Sequence, residues 1–318
     1  MEIPHFKLIR QDVYEVLEKI NEYIVGYHGE DEDTRNSCVN ELTYLIRNVY
    51  NKIAKDTGTK PFIIKYSYIR NMLSSISSPF IIYGGLAYEE FFRMNSLDLP
   101  KNVSRTKDVD VLCNVNKFLG NREIPPWYPA KGKYHELNYN TIYAINLINA
   151  LFKILSQKHD YIQKDGDSDW SLYGDASSSV YTCSLKTIPT SRYPNGKDII
   201  QINIFGSGFT IPNYREDKFN IYGNLYFFSP ELLLDDDDKN IGSMLRGKKM
   251  YNTTNHSKLH KINIRIFNLY YILTNPKSRF YINTTKFNET CREHILTTSP
   301  ISMKMLRKYM VIFNKVKL

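Results

Sequence analysis

Two aspartates, Asp108 and Asp110, stand one residue apart in the segment Lys107-Asp-Val-Asp-Val-Leu112. Val109 and Val111 make this segment a predicted strand, so that both carboxylates project from the same face. Two neighbouring carboxylates repel each other, and each needs a cation in order to stay ionised. Hard oxygen ligands of this kind suit divalent ions such as Mg²⁺. A pair of such ions can activate a hydroxyl and stabilise a leaving pyrophosphate, so Asp108 and Asp110 are candidate catalytic metal ligands.

A glycine pair, Gly84-Gly85, stands 23 residues before Asp108. It ends the apolar run Phe80-Ile-Ile-Tyr83, and the segment 86–94 that follows reads as a helix. Glycine at such a turn lets the backbone approach a phosphate group, and the helix N-terminus supplies N–H donors. A tight connection between a strand and a helix uses the same residues, so the glycine pair alone is a weak signal.

A third group is basic. Lys258, Lys261 and Arg265 fall on one face of a predicted helix at 256–274, and apolar residues that include Ile262 and Leu269 fall on another. A solvated helix face and an anion-binding face both fit this pattern.

The remaining elements must position these groups. Helices are predicted at 6–26, 36–54, 66–76, 138–163, 230–236 and 299–313, and strands at 80–83, 108–113, 180–188 and 198–205, with a hairpin at 219–228. Loops are predicted at 29–34, which is acidic, and at 164–178. Three modules follow from this order: a helical N-terminal module at 1–77, a core at 78–229 and a basic helical module at 230–318.

Composition restricts the class of protein. The chain has 318 residues, of which 42% are hydrophobic, and a net charge of +9. Residues 239–318 carry 16 Lys and Arg against two acids, a net +14, which leaves −5 (9 minus 14) for the rest. This asymmetry indicates a polyanion-binding surface on one module, or a solvated basic face. No membrane span or signal peptide is predicted, and the four scattered cysteines indicate reduced thiols in a cytoplasmic compartment.

The strand, the glycine pair, the helix and the Asp-x-Asp strand together resemble the polymerase-beta-type nucleotidyltransferase superfamily. The segments Tyr83-Gly-Gly-Leu-Ala-Tyr88 and Lys107-Asp-Val-Asp110 look most like the poly(A) polymerase catalytic subunits of large DNA viruses, the poxviruses and giant viruses. A further similarity is the helix that opens at Lys258-Leu-His-Lys-Ile-Asn-Ile-Arg265 after Ser229-Pro-Glu-Leu-Leu233. The resemblance covers roughly residues 78–275.

The resemblance implies an α+β nucleotidyltransferase fold, a small mixed sheet with helices, flanked by helical modules. It implies AMP transfer from ATP to an RNA 3′ end, with Mg²⁺ or Mn²⁺ held by Asp108 and Asp110. Gly84 and Gly85 would cradle the phosphates, and Lys258, Lys261 and Arg265 would neutralise triphosphate or RNA. The setting would be cytoplasmic, in a viral factory or virion if the protein is viral. A processivity subunit and self-association both stay open.

Three departures from the family pattern bear on activity. Leu86 follows the glycine pair where a hydroxyl residue is common, and the 23-residue gap to Asp108 implies an insertion at 96–106. The family's third carboxylate is expected on the strand 198–205, where alternation puts the amides of Gln201 and Asn203 on the metal side. Asp198 has the parity of the core face, so it replaces that carboxylate only if a bulge shifts the register.

Two other classes of function therefore stay open beside poly(A) polymerase. One is a degraded nucleotidyltransferase-fold subunit that binds RNA or a partner without turnover. The other is a different transferase on the same fold, such as a second-messenger synthase or a protein-modifying toxin.

Overall fold

The structure is a computed structural model, and its chain forms two compact units. One comprises Met1–Ile82 with Lys107–Phe227, and the other Tyr83–Thr106 with Phe228–Leu318. The structure describes residues 6–61, 63–94, 108–116, 139–159, 171–173, 180–191, 193–205, 219–222, 225–227, 265, 269 and 275–278. The three-module division at 77 and 229 stays a prediction.

The described elements are helices and a mixed sheet, an α+β arrangement. The helices are α1 (Phe6–Tyr27), α2 (Glu32–Thr57), α3 (Tyr66–Ser75), α4 (Gly84–Met94) and α5 (Tyr139–Lys158). The strands are β1 (Ile81–Tyr83), β2 (Val109–Asn114), β3 (Ser171–Tyr173), β4 (Val180–Lys186), β5 (Asp198–Phe205), β6 (Phe219–Tyr222) and β7 (Leu225–Phe227). No helix in these ranges is long and apolar enough to cross a membrane.

In the first unit, α1, α2, α3 and α5 pack against one another as a helical layer. The apolar residues that predicted these helices are buried, among them Leu17, Leu42, Ile46 and Leu147. α5 is buried along most of its length. A helix with apolar residues on most of its faces has no solvated side, which explains why its periodicity is weak.

The acidic segment 29–34, predicted as a loop, is a loop only in part, because α2 begins at Glu32. The side chain of Asp31 caps the helix by accepting hydrogen bonds from the backbone N–H groups of Asp33 and Thr34. Glu32 and Asp33 occupy the first turn, where the helix dipole favours negative charge. Capping therefore extends α2 by four residues beyond its predicted start at Asn36.

The sheet has the strand order β3-β4-β5-β2-β1-β7-β6. β2 runs parallel to β5 and β1 parallel to β7, whereas β4 pairs antiparallel with β3 and β5, and β6 antiparallel with β7. The predicted hairpin at 219–228 is thus present as β6 and β7. β3 lies inside the segment 164–178 that was predicted as a loop. A strand of three residues is too short to show an alternating pattern in the sequence.

One face of the central strands forms core. Val109, Val111 and Cys113 of β2 stand beside Ile200, Ile202 and Ile204 of β5, and all six are fully buried. The opposite face of β2 and β5 carries polar residues. Alternation therefore sets which side of the sheet is available for chemistry.

The helical layer is tied to the chain just before β1 by a buried amide. Asn21 of α1 accepts a hydrogen bond from the backbone N–H of Phe80 at 2.7 Å and donates one to its carbonyl oxygen at 3.0 Å. Asn21 and Phe80 are both buried. The side-chain amide of Asn21 thus satisfies both backbone groups of Phe80, as a neighbouring strand would.

In the second unit, the described residues are Tyr83 at the end of β1, those of α4 and a few at 265–278. α4 begins at the glycine pair, two residues before the predicted start at Leu86. Of the predicted helix 256–274, only Arg265 and Leu269 are described, and both are helical. The predicted helices 230–236 and 299–313, together with Lys258 and Lys261, lie outside the described residues.

Candidate active site

Asp108 and Asp110 stand at the head of β2. Asp108 is the residue just before the strand, Asp110 is its second residue, and both side chains are half-buried. Val109 and Val111 on either side of Asp110 are fully buried on the core face. Asp110 therefore projects from the opposite, polar face of the sheet. The described part of the chain provides no hydrogen bond or ion pair to Asp108.

Gln201 is the residue that the sheet places next to Asp110. The two are direct partners in the parallel β2–β5 ladder, and Gln201 is in turn the partner of Ser184 on β4. Partners in a ladder share a face, and neighbouring strands lie about 4.8 Å apart. Asp110, Gln201 and Ser184 therefore form a polar row across three strands. An amide, and not a carboxylate, stands beside Asp110.

A bulge changes the position of Asp198. β4 and β5 pair regularly from Phe205 to Ile200, where Ile200 faces Leu185, but the next residue of β4, Lys186, faces Asp198. One step along β4 thus corresponds to two along β5, and Ile199 is the extra residue. Lys186 shares a face with Ser184, and so Asp198 lies on the polar face with Gln201 and Asp110. Simple alternation from Ile200 puts Asp198 on the core face, and that parity is wrong because of the bulge.

Asp198 is half-buried, and one of its carboxylate oxygens is unsatisfied. Its Oδ1 atom is buried and has no hydrogen-bond partner among the described residues. The register pairs Val109 with Ile200, so Asp198 lies at the amino end of β5, beside the end of β2 that Asp108 precedes. Within the described ranges, however, no three His, Cys, Asp or Glu side chains are grouped to share a metal ion. Asp110 and Asp198 thus share a face, and the described residues form no three-acid cluster.

Asn203 lies further along β5 than Gln201. Its ladder partner on β2 is Leu112, which is buried, and Asn203 itself is only 8% exposed. Of the two amides predicted for the metal side, Gln201 is the one that stands beside an aspartate.

In the second unit, the glycine pair opens α4. Gly84 has a φ of 67°, in the left-handed region where residues with a Cβ are strained. The conformation explains why glycine stands at the turn from strand to helix. Leu86 is fully buried, so its side chain is part of the core and the first turn of α4 has no hydroxyl at this position. The binding capacity of this turn lies in its backbone N–H groups.

Arg265, also in the second unit, lies against α4. Its guanidinium carbon is 5.7 Å from the ring centroid of Tyr88, a distance typical of a cation–π contact. Tyr88 is buried, and its ring lies 4.6 Å from that of Phe92 on the same helix. Arg265 and the helix that begins at Gly84 are therefore brought together. Lys258 and Lys261, predicted on the same face as Arg265, fall outside the described residues.

Cys38 and Cys113, the two cysteines whose side chains the structure describes, are free thiols. Cys113 of β2 is fully buried on the core face, and burial raises the pKa of its thiol far above the ordinary value. Burial is also the main cause that raises the pKa of Cys38. Burial therefore disfavours the thiolate form of both residues, which is the reactive form of cysteine.

One residue of the polar face, Ser184, escaped prediction from the sequence, because no pattern in β4 indicates which residue of β5 it will face. The bulge was considered only as a condition for Asp198, although a signal for it was present. Ile199 and Ile200 are adjacent apolar residues in a strand that otherwise alternates, and such a doublet is what a bulge produces.

No family model matches the sequence, and no curated protein matches it. Among solved structures, the crystal structure of the Megavirus polyadenylate synthase is similar, with a TM-score of 0.33 and 12% sequence identity. The match covers 87% of this chain and 52% of the synthase, so this chain spans about half the length of that protein. A likeness of this strength identifies neither a fold family nor a reaction.

Proposed function

We propose that the chain is a template-independent nucleotidyltransferase that adds AMP from ATP to an RNA 3′ end. The observation that supports the proposal is the polar face of the sheet at the amino ends of β2 and β5. Asp110 stands there on β2 and Asp108 just before that strand, and the bulge brings Asp198 to the face of β5 that carries Gln201. A half-buried carboxylate with an unsatisfied oxygen, such as that of Asp198, is costly in a fold, and function is the usual reason to keep it.

The donors on this face fit a divalent metal ion. All are oxygens, from the carboxylates of Asp108 and Asp110 and the carbonyl of the Gln201 side chain, and hard oxygen ligands suit Mg²⁺ or Mn²⁺. Asp108 and Asp110 would hold the ion. When bound, it would neutralise charge on the triphosphate and favour departure of pyrophosphate.

The residues of the chain would divide the remaining work. Asp198, whose side chain is half-buried, would accept the proton of the attacking hydroxyl. Gln201 cannot accept a proton, but its amide would donate a hydrogen bond to a ribose or phosphate oxygen. Gly84 and Gly85 would bind phosphate through backbone N–H groups, and Lys258, Lys261 and Arg265 would neutralise triphosphate or RNA.

A second candidate is a subunit of this fold that binds RNA without turnover. Two observations favour it: an amide stands beside Asp110, and the described residues contain no three-acid cluster. A third candidate, a transferase with a cyclic or protein-linked product, differs from the first only in the acceptor.

Primer extension separates the three candidates. The protein is incubated with labelled ATP, Mg²⁺ or Mn²⁺ and an oligo-RNA primer. We expect extension, and we expect Asp110→Asn and Asp108→Asn each to reduce it about a thousandfold, because metal binding contributes several kcal/mol to the transition state. Glu30→Gln, which neutralises an exposed carboxylate, is the matched control and should leave the rate unchanged.

RNA binding without extension would support the subunit that lacks turnover. A cyclic or protein-linked product would support the third candidate. Primer extension at the normal rate by Asp110→Asn would show that this face of the sheet is not the catalytic site.

A further inference from the structure

The outer face of α2 carries exposed residues at regular helical spacing. They follow the i, i+3, i+4, i+7, i+8, i+11 pattern, and all are exposed: Tyr44, Arg47, Asn48, Asn51, Lys52 and Lys55. A helix rises 1.5 Å per residue, so this outer face is about 16 Å long. These six positions contain cations, amides and an aromatic ring, and the acid one turn before them on the same face, Glu41, pairs with Lys19. Asp56, the one acid between positions 44 and 66, follows Lys52 by four residues and so lies beside it on the helix surface.

The segment between α2 and α3 extends this surface. Arg47 Nη2 donates a hydrogen bond to the carbonyl oxygen of Ile64 at 3.3 Å, which holds the segment beside the helix. On either side of Ile64, Ile63 is 83% exposed and Tyr66 is 53% exposed. With Tyr44 at 68%, three of the five large hydrophobic residues that are exposed in the described chain lie here. Aromatic side chains facing solvent are therefore concentrated where the cations are.

The charges of this surface are not neutralised by the protein. Elsewhere in the helical layer, cations have acidic partners: Lys19 pairs with Glu22, and Arg35 and Arg70 both pair with Glu32. Arg47, Lys52, Lys55 and Lys60, by contrast, pair with no acid in the described part of the chain. Five Lys and Arg stand against one acid between positions 44 and 66, a net charge of +4 (5 minus 1). The potential here is positive and open to a polyanion.

We propose that this surface, residues 44–66, binds a single-stranded polynucleotide. The cations would contact successive phosphates, and Tyr44 and Tyr66 would stack on bases, the combination by which proteins bind single strands without reading sequence. An acidic peptide would use the cations but would leave the exposed rings without a role. The surface belongs to the helical layer, in which the sequence alone indicated no candidate site residue. It goes beyond the proposed function, because binding here requires no turnover.

The cations are tested with Lys52→Gln/Lys55→Gln, in the full chain, by fluorescence anisotropy with a labelled oligouridylate at several salt concentrations. Each lost phosphate contact should lower the slope of log affinity against log salt by about 0.7, so about 1.4 for the pair. Affinity at low salt should fall about tenfold. The matched control is Lys19→Gln/Lys158→Gln, which removes the same charge from cations that have acidic partners. An unchanged slope in the first variant, or an equal loss in the control, would overturn the proposal.

The rings are tested with Tyr44→Ser/Tyr66→Ser, against Val25→Ser/Ile188→Ser, which removes exposed apolar groups elsewhere. Loss of stacking should weaken binding about tenfold without altering the salt slope. A tyrosine variant that binds RNA normally, or polyglutamate that competes as well as RNA does, would show an acidic-peptide surface instead and reject the proposal. Circular dichroism verifies that each variant is folded. Because anisotropy records binding alone, an inactive chain that binds through residues 44–66 would contradict the proposed function and not this inference.

Discussion

Asn21 and Asp198 are both polar residues in the first unit, and the protein treats them in opposite ways. Asn21 is fully buried, and its amide makes two hydrogen bonds of ordinary length to the backbone of Phe80. Asp198 is half-buried, yet its Oδ1 atom has no hydrogen-bond partner in the described chain. The first arrangement uses a polar group to stabilise the junction of helix and sheet. The second leaves a carboxylate oxygen without a hydrogen bond, and stability alone does not explain this.

The difference indicates how structural and functional polar residues can be told apart. A structural group is satisfied inside the protein, so removing it leaves its partners unsatisfied and lowers stability. A functional group is completed by something that is not part of the chain, so removing it should cost activity and little stability. Three substitutions test whether the distinction holds.

The largest effect on stability is expected for Asn21→Ala. The substitution leaves the N–H and C=O groups of Phe80 buried without partners, at about 1–3 kcal/mol each, so the free energy of unfolding should fall by about 3 kcal/mol. Urea denaturation measures the change. Asn51→Ala, on the exposed side of α2, is the matched control and should be near neutral. A loss below about 1 kcal/mol for Asn21→Ala would mean that water replaces the amide.

For Asp198→Asn, the expected loss is in activity. If Asp198 accepts the proton of the attacking hydroxyl, primer extension should fall about a hundredfold, a typical contribution of general base catalysis. The free energy of unfolding should be unchanged or higher, because a half-buried charge is removed. Gln201→Glu in the same protein should restore part of the rate, since it returns a carboxylate to the polar row. A large loss of stability with normal extension would place Asp198 in the same class as Asn21.

The smallest effect is expected for Asp31, a satisfied group that is exposed. Hydrogen bonds from Thr34, through its side chain and then its backbone, and from Asp33 hold the pKa of this carboxyl below the ordinary Asp value. Its folded-state pKa is depressed, so its contribution to stability is present above pH 4 and is lost as pH falls through the folded pKa. Asp31→Ala should therefore flatten the decline in stability below pH 4, measured by thermal unfolding across pH. If stability below pH 4 declines in the variant as it does in the parent protein, the Asp31 cap does not contribute to the pH dependence of stability.

Much of the first unit followed from the sequence because its patterns are local. Apolar periodicity located α1, α2 and α3, and alternation located β5 at Asp198–Phe205, the range that was predicted. The start of α2 was placed too late because a cap depends on one residue, Asp31, whose neighbours look like a loop. β3 was missed because three residues carry no period.

The site was less accessible, because it depends on pairing between distant strands. That Asp110 stands beside Gln201 follows from the β2–β5 register, which no local pattern fixes. Alternation also put Asp198 on the wrong face, since a single extra residue, Ile199, reverses the parity of everything before it. Alternation of side chains therefore predicts the face of a residue least well at the end of a strand, and Asp198 is the first residue of β5.

The parallel pairing of β1 with β7 has a consequence for how the protein is made. Ile82 is the partner of Phe227, 145 residues later (227 minus 82), so this edge of the sheet stays open until translation has passed β7. The α1–α3 segment can collapse early on the ribosome, whereas closing so long a loop is slow. During that interval β1 presents unpaired N–H and C=O groups next to apolar Ile81 and Ile82. Synthesis that stalls before residue 225 should therefore yield chains that aggregate through this edge.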